Sequence, residues 1–377
     1  MKRIVYLCVM ILLCVDVMAQ IDLNDPNWEM VFYDDFTTNS WDTWNDWKIT
    51  HPVPTGHYIS YYKDGYYGIT HGRHEHQVYQ RDNCLFGNGV LKFVSVYEGG
   101  PDTIPLHCGN FDLPPNKICD SLHPSLYYSS GLIHTLTKFK YGYFEITCNL
   151  PIHKGSFPAF WLYSSSSTHY NEIDIFEYSW GASQTNHYKQ FTCGLYCDND
   201  HYPASLNDVS YARTHPILPN TSSDLTHTHV YACEWMPDHV TWYVDGSVVN
   251  EYVRQDSIPH HEMYLIANYA INNYAMRKVN GQYFPDWCDG DEMVVDSIRI
   301  FQLKTNCDTD VLITNPLDLT TYQPSVKKSI RIESSNEFTA PTNLNVSMRA
   351  VDSIVIGKGF TLPLGAQITL RTQPCPE

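Results

Sequence analysis

The sequence predicts an all-β fold, and three observations carry that expectation. Runs rich in Val, Ile, Tyr, Phe and Trp recur at 86–96, 141–150, 157–163, 171–178, 228–235, 239–244, 247–253, 262–271 and 292–303. Turn-forming pairs punctuate them: Asn88-Gly89, Pro237-Asp238, Asp245-Gly246 and Asp289-Gly290. No segment sustains the helical apolar period of about 3.6 residues. Short strands with frequent turns indicate a sandwich or a barrel.

The chain of 377 residues is long enough for one large β domain and a small module. Residues 1–19 read as a secretory leader. Lys2 and Arg3 form its charged start, Ile4 to Val15 its apolar stretch, and Val17-Met18-Ala19 a small-residue cleavage site before Gln20. The apolar stretch is too short to span a bilayer, and no other stretch approaches that length. Cys14 follows Leu12-Leu13 rather than the small residue that usually precedes a lipid-modified cysteine, so a lipid anchor is disfavoured. A secreted, periplasmic or cell-surface location is therefore expected. A formal charge of −17, one unit more negative without the leader, disfavours nucleic acid and anionic membranes as partners.

Composition shifts after Leu303. Residues 304–377 lack Trp and hold Tyr322 as their one tyrosine, while strand-like runs continue at 328–333, 342–355 and 365–371. Residues 20–303 are read as one domain and 304–377 as a C-terminal β module. So few aromatics make a poor sugar-binding surface, so the module reads as structural or as an attachment spacer. It is expected to be dispensable for hydrolysis of a soluble substrate. No other internal repeat and no low-complexity segment is visible.

Cysteines in an exported chain suggest disulfides. Cys108 with Cys119 would close a Pro-rich loop, Cys193 with Cys197 a tight one, and Cys307 with Cys375 would bracket the C-terminal module. Cys148 and Cys233 lie inside strand patterns, where a buried free thiol fits equally well. Without a CxxC pair, structural zinc is not expected.

The chemistry concentrates in Asn171-Glu172-Ile173-Asp174-Ile175-Phe176-Glu177-Tyr178. Its β-formers favour a strand, in which Glu172 and Asp174 share a face. Glu177 stands three beyond Asp174, so it joins them only if a β-bulge around Ile175–Phe176 inserts one residue. Three crowded acids repel one another, which makes sense where one must hold a proton near neutral pH. Paired carboxyls are what glycoside hydrolysis with retention requires.

The flanks sharpen this. Upstream lie Val31-Phe32-Tyr33-Asp34-Asp35-Phe36, Tyr141-Gly142-Tyr143-Phe144-Glu145-Ile146 and Gly155-Ser156-Phe157-Pro158-Ala159-Phe160-Trp161-Leu162. Downstream lie Glu234-Trp235-Met236-Pro237-Asp238, Trp242-Tyr243-Val244-Asp245-Gly246 and Tyr264-Leu265-Ile266-Ala267-Asn268. This ordered set resembles glycoside hydrolase family 16, the group of laminarinase- and agarase-like β-glycanases, over about residues 28–303. That family's signature is E-[IL]-D-x-(x)-E after a G-x-W-P-A-F-W strand.

The resemblance implies a β-jelly-roll sandwich of the concanavalin A type, whose concave sheet holds the cleft. It implies Glu172 as nucleophile, Glu177 as acid/base, and Asp174 between them, steadying Glu172 and keeping Glu177 protonated by its charge. It places Trp161, Trp180, His187, Glu75, Gln77 and Asn268 toward the sugars. It implies no catalytic cofactor. It also implies a structural calcium on the convex face, held by Asp296 and by backbone oxygens near Asp35 and Gly89. His71, His74 and His76 are read as a polar strand edge rather than a metal site.

Two departures bear on the substrate. Thr168-His169-Tyr170-Asn171-Glu172 stands where the family's β-1,3-glucanases usually have W-P-x-x-G-E, and Asn268-Tyr269-Ala270-Ile271-Asn272-Asn273 where they tend to have N-x-A-x-G-G. The leading expectation is a monomeric endo-β-glycanase that cuts a β-1,3-containing glucan, laminarin-like or mixed-linkage. The alternatives are hydrolysis of a β-galactan (agar, carrageenan or mucin-type), transglycosylation, and glycan binding without catalysis. Intact Glu172, Asp174 and Glu177 argue against the last.

Overall fold

The computed structural model describes residues 25–37, 47–48, 58–61, 67–70, 77–98, 128–165, 169–178, 188–198, 210–220, 222–254, 257–272, 276–279, 282–285, 288–322, 324–333 and 337–376. Two curved antiparallel sheets dominate. One runs in the order Ser247–Tyr252, Val240–Val244, His229–Trp235, Gly142–Asn149, Glu292–Leu303, Val90–Val94, Cys84–Gly87, with Trp28–Asp34 also paired to Glu292–Leu303. The other runs Ser210–Thr214, Thr192–Asp198, Tyr170–Glu177, Ser156–Ser165, Tyr264–Ile271, Leu132–Thr135, Trp47–Lys48. This is the expected jelly-roll sandwich.

Alternation builds the core between the sheets. Phe144, Ile146, Trp235 and Trp242 from one sheet meet Phe160, Leu162, Ile173, Leu195, Leu265 and Tyr269 from the other. Residues one step out of phase point to the open face of the second sheet, where Ala159, Trp161, Tyr163, Ile266 and Ala270 gather with Tyr79 and Leu132. The run at 86–96 resolves into two strands joined at Asn88-Gly89, both at positive φ, as a tight hairpin demands.

The stretch 181–227, which shows no strand-like run in the sequence and is expected as a loop that shapes the subsites, contains two strands of the second sheet, Thr192–Asp198 and Ser210–Thr214. Cys193 and Cys197 both stand on the first of these. Two residues on one strand four apart cannot bridge each other, and both side chains are buried. Cys148 and Cys233 are buried and free, and Cys307 pairs with Cys375 as expected. Cys108 and Cys119 lie outside the described residues, as does the leader.

After Leu303 the chain changes architecture. Thr305–Ile313, Val326–Ile332, Asn345–Ile356 and Gln367–Thr372 pair in parallel, in sequence order, and Phe338–Thr339 pairs in parallel with Phe360–Thr361. Thr305 faces Val326, Val326 faces Arg349, and Asn345 faces Gln367, an offset of about 22 residues per rung. The module is thus a short solenoid with a repeat of about 22 residues.

The module lies against the outer face of the first sheet. Trp28, Tyr143, Tyr243, Phe301 and Leu303 form one buried cluster with Val326. Beside it, Arg349 Nη2 meets Asp25 Oδ2 at 2.8 Å with both side chains 8% exposed, and Ser347 Oγ donates to the same oxygen at 2.9 Å. Glu234 is buried nearby between His239 and Arg371. The face opposite the cleft is therefore closed by the module.

Candidate active site

The strand Tyr170–Glu177 crosses the middle of the second sheet, and its register slips on both sides. Phe160 faces Phe176 while Trp161 faces Asp174, and Gly194 faces Asp174 while Thr192 faces Glu177. One extra residue is accommodated between Asp174 and Glu177. Ile175 and Phe176 both turn into the core, and Glu177 returns to the open face with Glu172 and Asp174. At the slip, the indole of Trp242 on the facing sheet donates to the Asp174 carbonyl at 2.8 Å. The bulge read from the spacing is present.

The three carboxyls open into a cleft lined by Tyr79, Leu132, Phe157, Ala159, Trp161, Asn268 and Ala270. Glu172 and Asp174 are 7% and 3% exposed. Tyr170 Oη donates to Glu172 Oε2 at 2.6 Å. Arg213 Nη2 lies 3.1 Å from Glu177 Oε2. Burial pushes Glu172 up to about 7; Tyr170 opposes the rise and the Glu177 charge adds to it. Burial, then the charges of Glu177 and Glu172, hold Asp174 well above the usual carboxylate range. A side-chain hydrogen bond joins Asp174 and Glu172, lowering Glu172 and raising Asp174. Glu177 is raised by burial and drawn back by Arg213.

The other expected residues divide. Trp161 Nε1 donates to Asn268 Oδ1 at 2.8 Å, and Asn268 Nδ2 donates to Tyr79 Oη at 2.9 Å, a chain that fixes the cleft wall. Gln77 does not reach the cleft. It is fully buried, and its Oε1 accepts from Ile271 N at 2.7 Å, which ties its strand to the floor of the sheet. Glu75, Trp180 and His187 lie outside the described residues, with His71, His74 and His76. Sequence reasoning missed Tyr170, Tyr79 and Arg213. Tyr170 was legible, since it alternates onto the face of Glu172. Arg213 was hidden in the stretch read as loop.

The calcium expectation finds no support. Pairing does bring Asp35, Gly89 and Asp296 to one edge of the first sheet. Yet Asp35 Oδ1 already accepts from Thr37 N at 3.1 Å and Thr37 Oγ1 at 2.6 Å. No group of three His, Cys, Asp or Glu side chains among the described residues is placed to hold a metal.

A family model for glycosyl hydrolases family 16 matches residues 88–289, more than half of the chain. The chain belongs to glycosyl hydrolase family 16. Endo-1,3-1,4-beta-glycanase ExsH of Rhizobium meliloti (strain 1021) is 28% identical over 184 residues, covering 48% of this chain and 34% of its own. The match thus spans about a third of that relative's length. A beta-glucanase of Rhodothermus marinus is 24% identical over 302 residues, covering 74% of this chain and 86% of its own. A solved structure from a study of endo-acting O-glycanases, with which prominent members of the human gut microbiota initiate mucin breakdown, superposes with a TM-score of 0.52. Its identity is 20%, and it covers 74% of this chain and 92% of its own. At that identity the likeness is one of fold.

Proposed function

We propose that the chain is a secreted, retaining endo-β-glycanase that hydrolyses internal bonds of a β-1,3-containing glucan. The observation that carries this is the bulged strand, which sets Glu172, Asp174 and Glu177 on one face of the cleft. Glu172, steadied by Tyr170 and the proton of Asp174, attacks the anomeric carbon. Its Oε–C1 bond forms as the glycosidic C1–O bond breaks, and the leaving oxygen takes the proton of Glu177. Water then attacks C1 and gives its proton back to Glu177, and Glu172 departs as the carboxylate. Two inversions restore the β configuration.

The name of the Rhodothermus relative, a beta-glucanase, supports a glucan, and that of the Rhizobium relative supports 1,3- and 1,4-β linkages. The segments before Glu172 and after Asn268, which depart from the glucanase motifs, support a second reading, a β-galactan or mucin-type glycan. One panel separates the two: laminarin, mixed-linkage β-glucan, agarose, carrageenan and gastric mucin, with size analysis of products and Glu172→Gln as control. Internal cleavage of laminarin or mixed-linkage glucan supports the first reading. Cleavage confined to galactans or mucin replaces it with the second, and turnover by Glu172→Gln equal to wild type removes the assigned nucleophile.

A further inference from the structure

We propose that Arg213 is the positioning residue of Glu177: it holds that side chain over the scissile bond and stabilises the carboxylate left when the proton has been given away. This rests on the assignment of Glu177 as acid/base. Glu172 has two neighbours that fix it, Tyr170 and Asp174. Glu177 is held instead from the edge of the sheet, by the guanidinium 3.1 Å away.

The sheet is built to let that side chain across. Arg213 stands on Ser210–Thr214, two strands from the acids, and faces Gly194, which in turn faces Asp174. Gly194 offers only backbone on the open face. The strands close so tightly there that a Cβ at Gly194 would stand 2.3 Å from the Ala212 carbonyl oxygen. At position 194, therefore, no side chain stands between Arg213 and Asp174.

The charged and titratable groups around Glu177 can be taken element by element. Its own strand presents Glu172 and Asp174, and the edge strand presents Arg213. The strand between them presents Thr192, whose hydroxyl bonds His215 Nδ1 at 3.0 Å. The strands on the other side bring the neutral Ala159 and Asn268. An opposite charge this close favours the ionised acid. That form is the product of the first half-reaction and the base of the second. Arg213 therefore assists proton release to the leaving oxygen, and afterwards it keeps Glu177 ionised and in place to accept the proton of the attacking water.

The test needs no substrate for its first arm. In protein carrying 13C at glutamate Cδ, the Glu177 resonance is identified by its absence in Glu177→Gln. Its titration midpoint is then followed in wild type, Arg213→Met and Arg213→Lys. Arg213→Met is expected to raise the midpoint by about one pH unit or more, and Arg213→Lys to recover at least half of that. The basic limb of kcat/KM on the polysaccharide cleaved in the panel should rise in step. A midpoint in Arg213→Met within about 0.3 pH units of wild type overturns the proposal, as does an equal displacement in both variants, since loss of one pKa unit is the scale of such a contact. If Arg213→Met does not fold, Arg213→Gln gives the same reading. Full hydrolysis by Glu177→Gln would remove the acid/base assignment itself; an inactive Glu177→Gln together with an unmoved Glu177 midpoint in Arg213→Met removes the role of Arg213 alone.

Discussion

Replacing Arg349 with Met should loosen the solenoid from the jelly roll without touching the cleft. In the native protein the guanidinium binds Asp25 Oδ2 at 2.8 Å and Gln373 Oε1 at 3.0 Å, in a site where both ionic side chains are 8% exposed. Breaking one side of a buried ion pair costs about 3–5 kcal/mol, because the other charge stays buried. Asp25 keeps three donors: Asn27 N at 2.9 Å, Asn27 Nδ2 at 2.7 Å and Ser347 Oγ at 2.9 Å. These offset part of the loss and place the expected cost near the lower bound, about 3 kcal/mol. For a domain of this size that is a fall in Tm of about 6–12 °C. Urea denaturation and thermal melting measure it. The double change Asp25→Asn with Arg349→Met should lose less than the two single costs added, since the contact is shared. A Tm within about 1 °C of wild type, or strictly additive losses, would mean that the pair does not weld the two parts.

Three further outcomes follow from the same structure. Burial alone would lower His239, but Asp238 Oδ1 at 2.8 Å and Glu234 Oε2 at 3.5 Å outweigh it and raise it to about 9. A raised folded pKa gives stability that is complete below about 6.5 and lost as pH rises toward about 9, so melting temperature should fall across that window in wild type and stay flatter in His239→Gln. Burial pushes the thiols of Cys84, Cys193 and Cys288 up to about 12, so iodoacetamide at pH 8 should leave them unlabelled in the folded protein and label them after unfolding, read by peptide mass spectrometry. Deleting residues 305–377 should yield a poorly soluble or destabilised protein, because it bares Trp28, Tyr143, Tyr243 and Glu234; a truncated protein that melts like the full chain would contradict this.

Much of the fold was legible because alternation and turn chemistry agree locally. Asn88-Gly89 and Asp245-Gly246 marked hairpins that are present, at positive φ. The bulge was legible from arithmetic alone: an odd spacing between acids cannot share a face without an extra residue. What stayed hidden depended on partners distant in sequence. Arg213 joins the acids only because Gly194 leaves the path open. Gln77 looked like a cleft residue until Ile271 took its side-chain oxygen. The solenoid pairs residues about 22 apart in parallel, a pattern that leaves no hairpin signal at its turns. The apolar outer face of Tyr143 and Tyr243, in turn, reads as ordinary strand sequence until Val326 covers it.

The central claim is that Glu172 and Glu177 work on one sugar from one strand, so that a covalent glycosyl-enzyme links two inversions. Proton NMR of fresh hydrolysate, recorded before mutarotation on the polysaccharide the enzyme cleaves, tests this directly. The account predicts that the β anomer appears first and the α anomer only later, by equilibration. An initial α signal would mean a single displacement by water, with the second working carboxyl elsewhere in the chain.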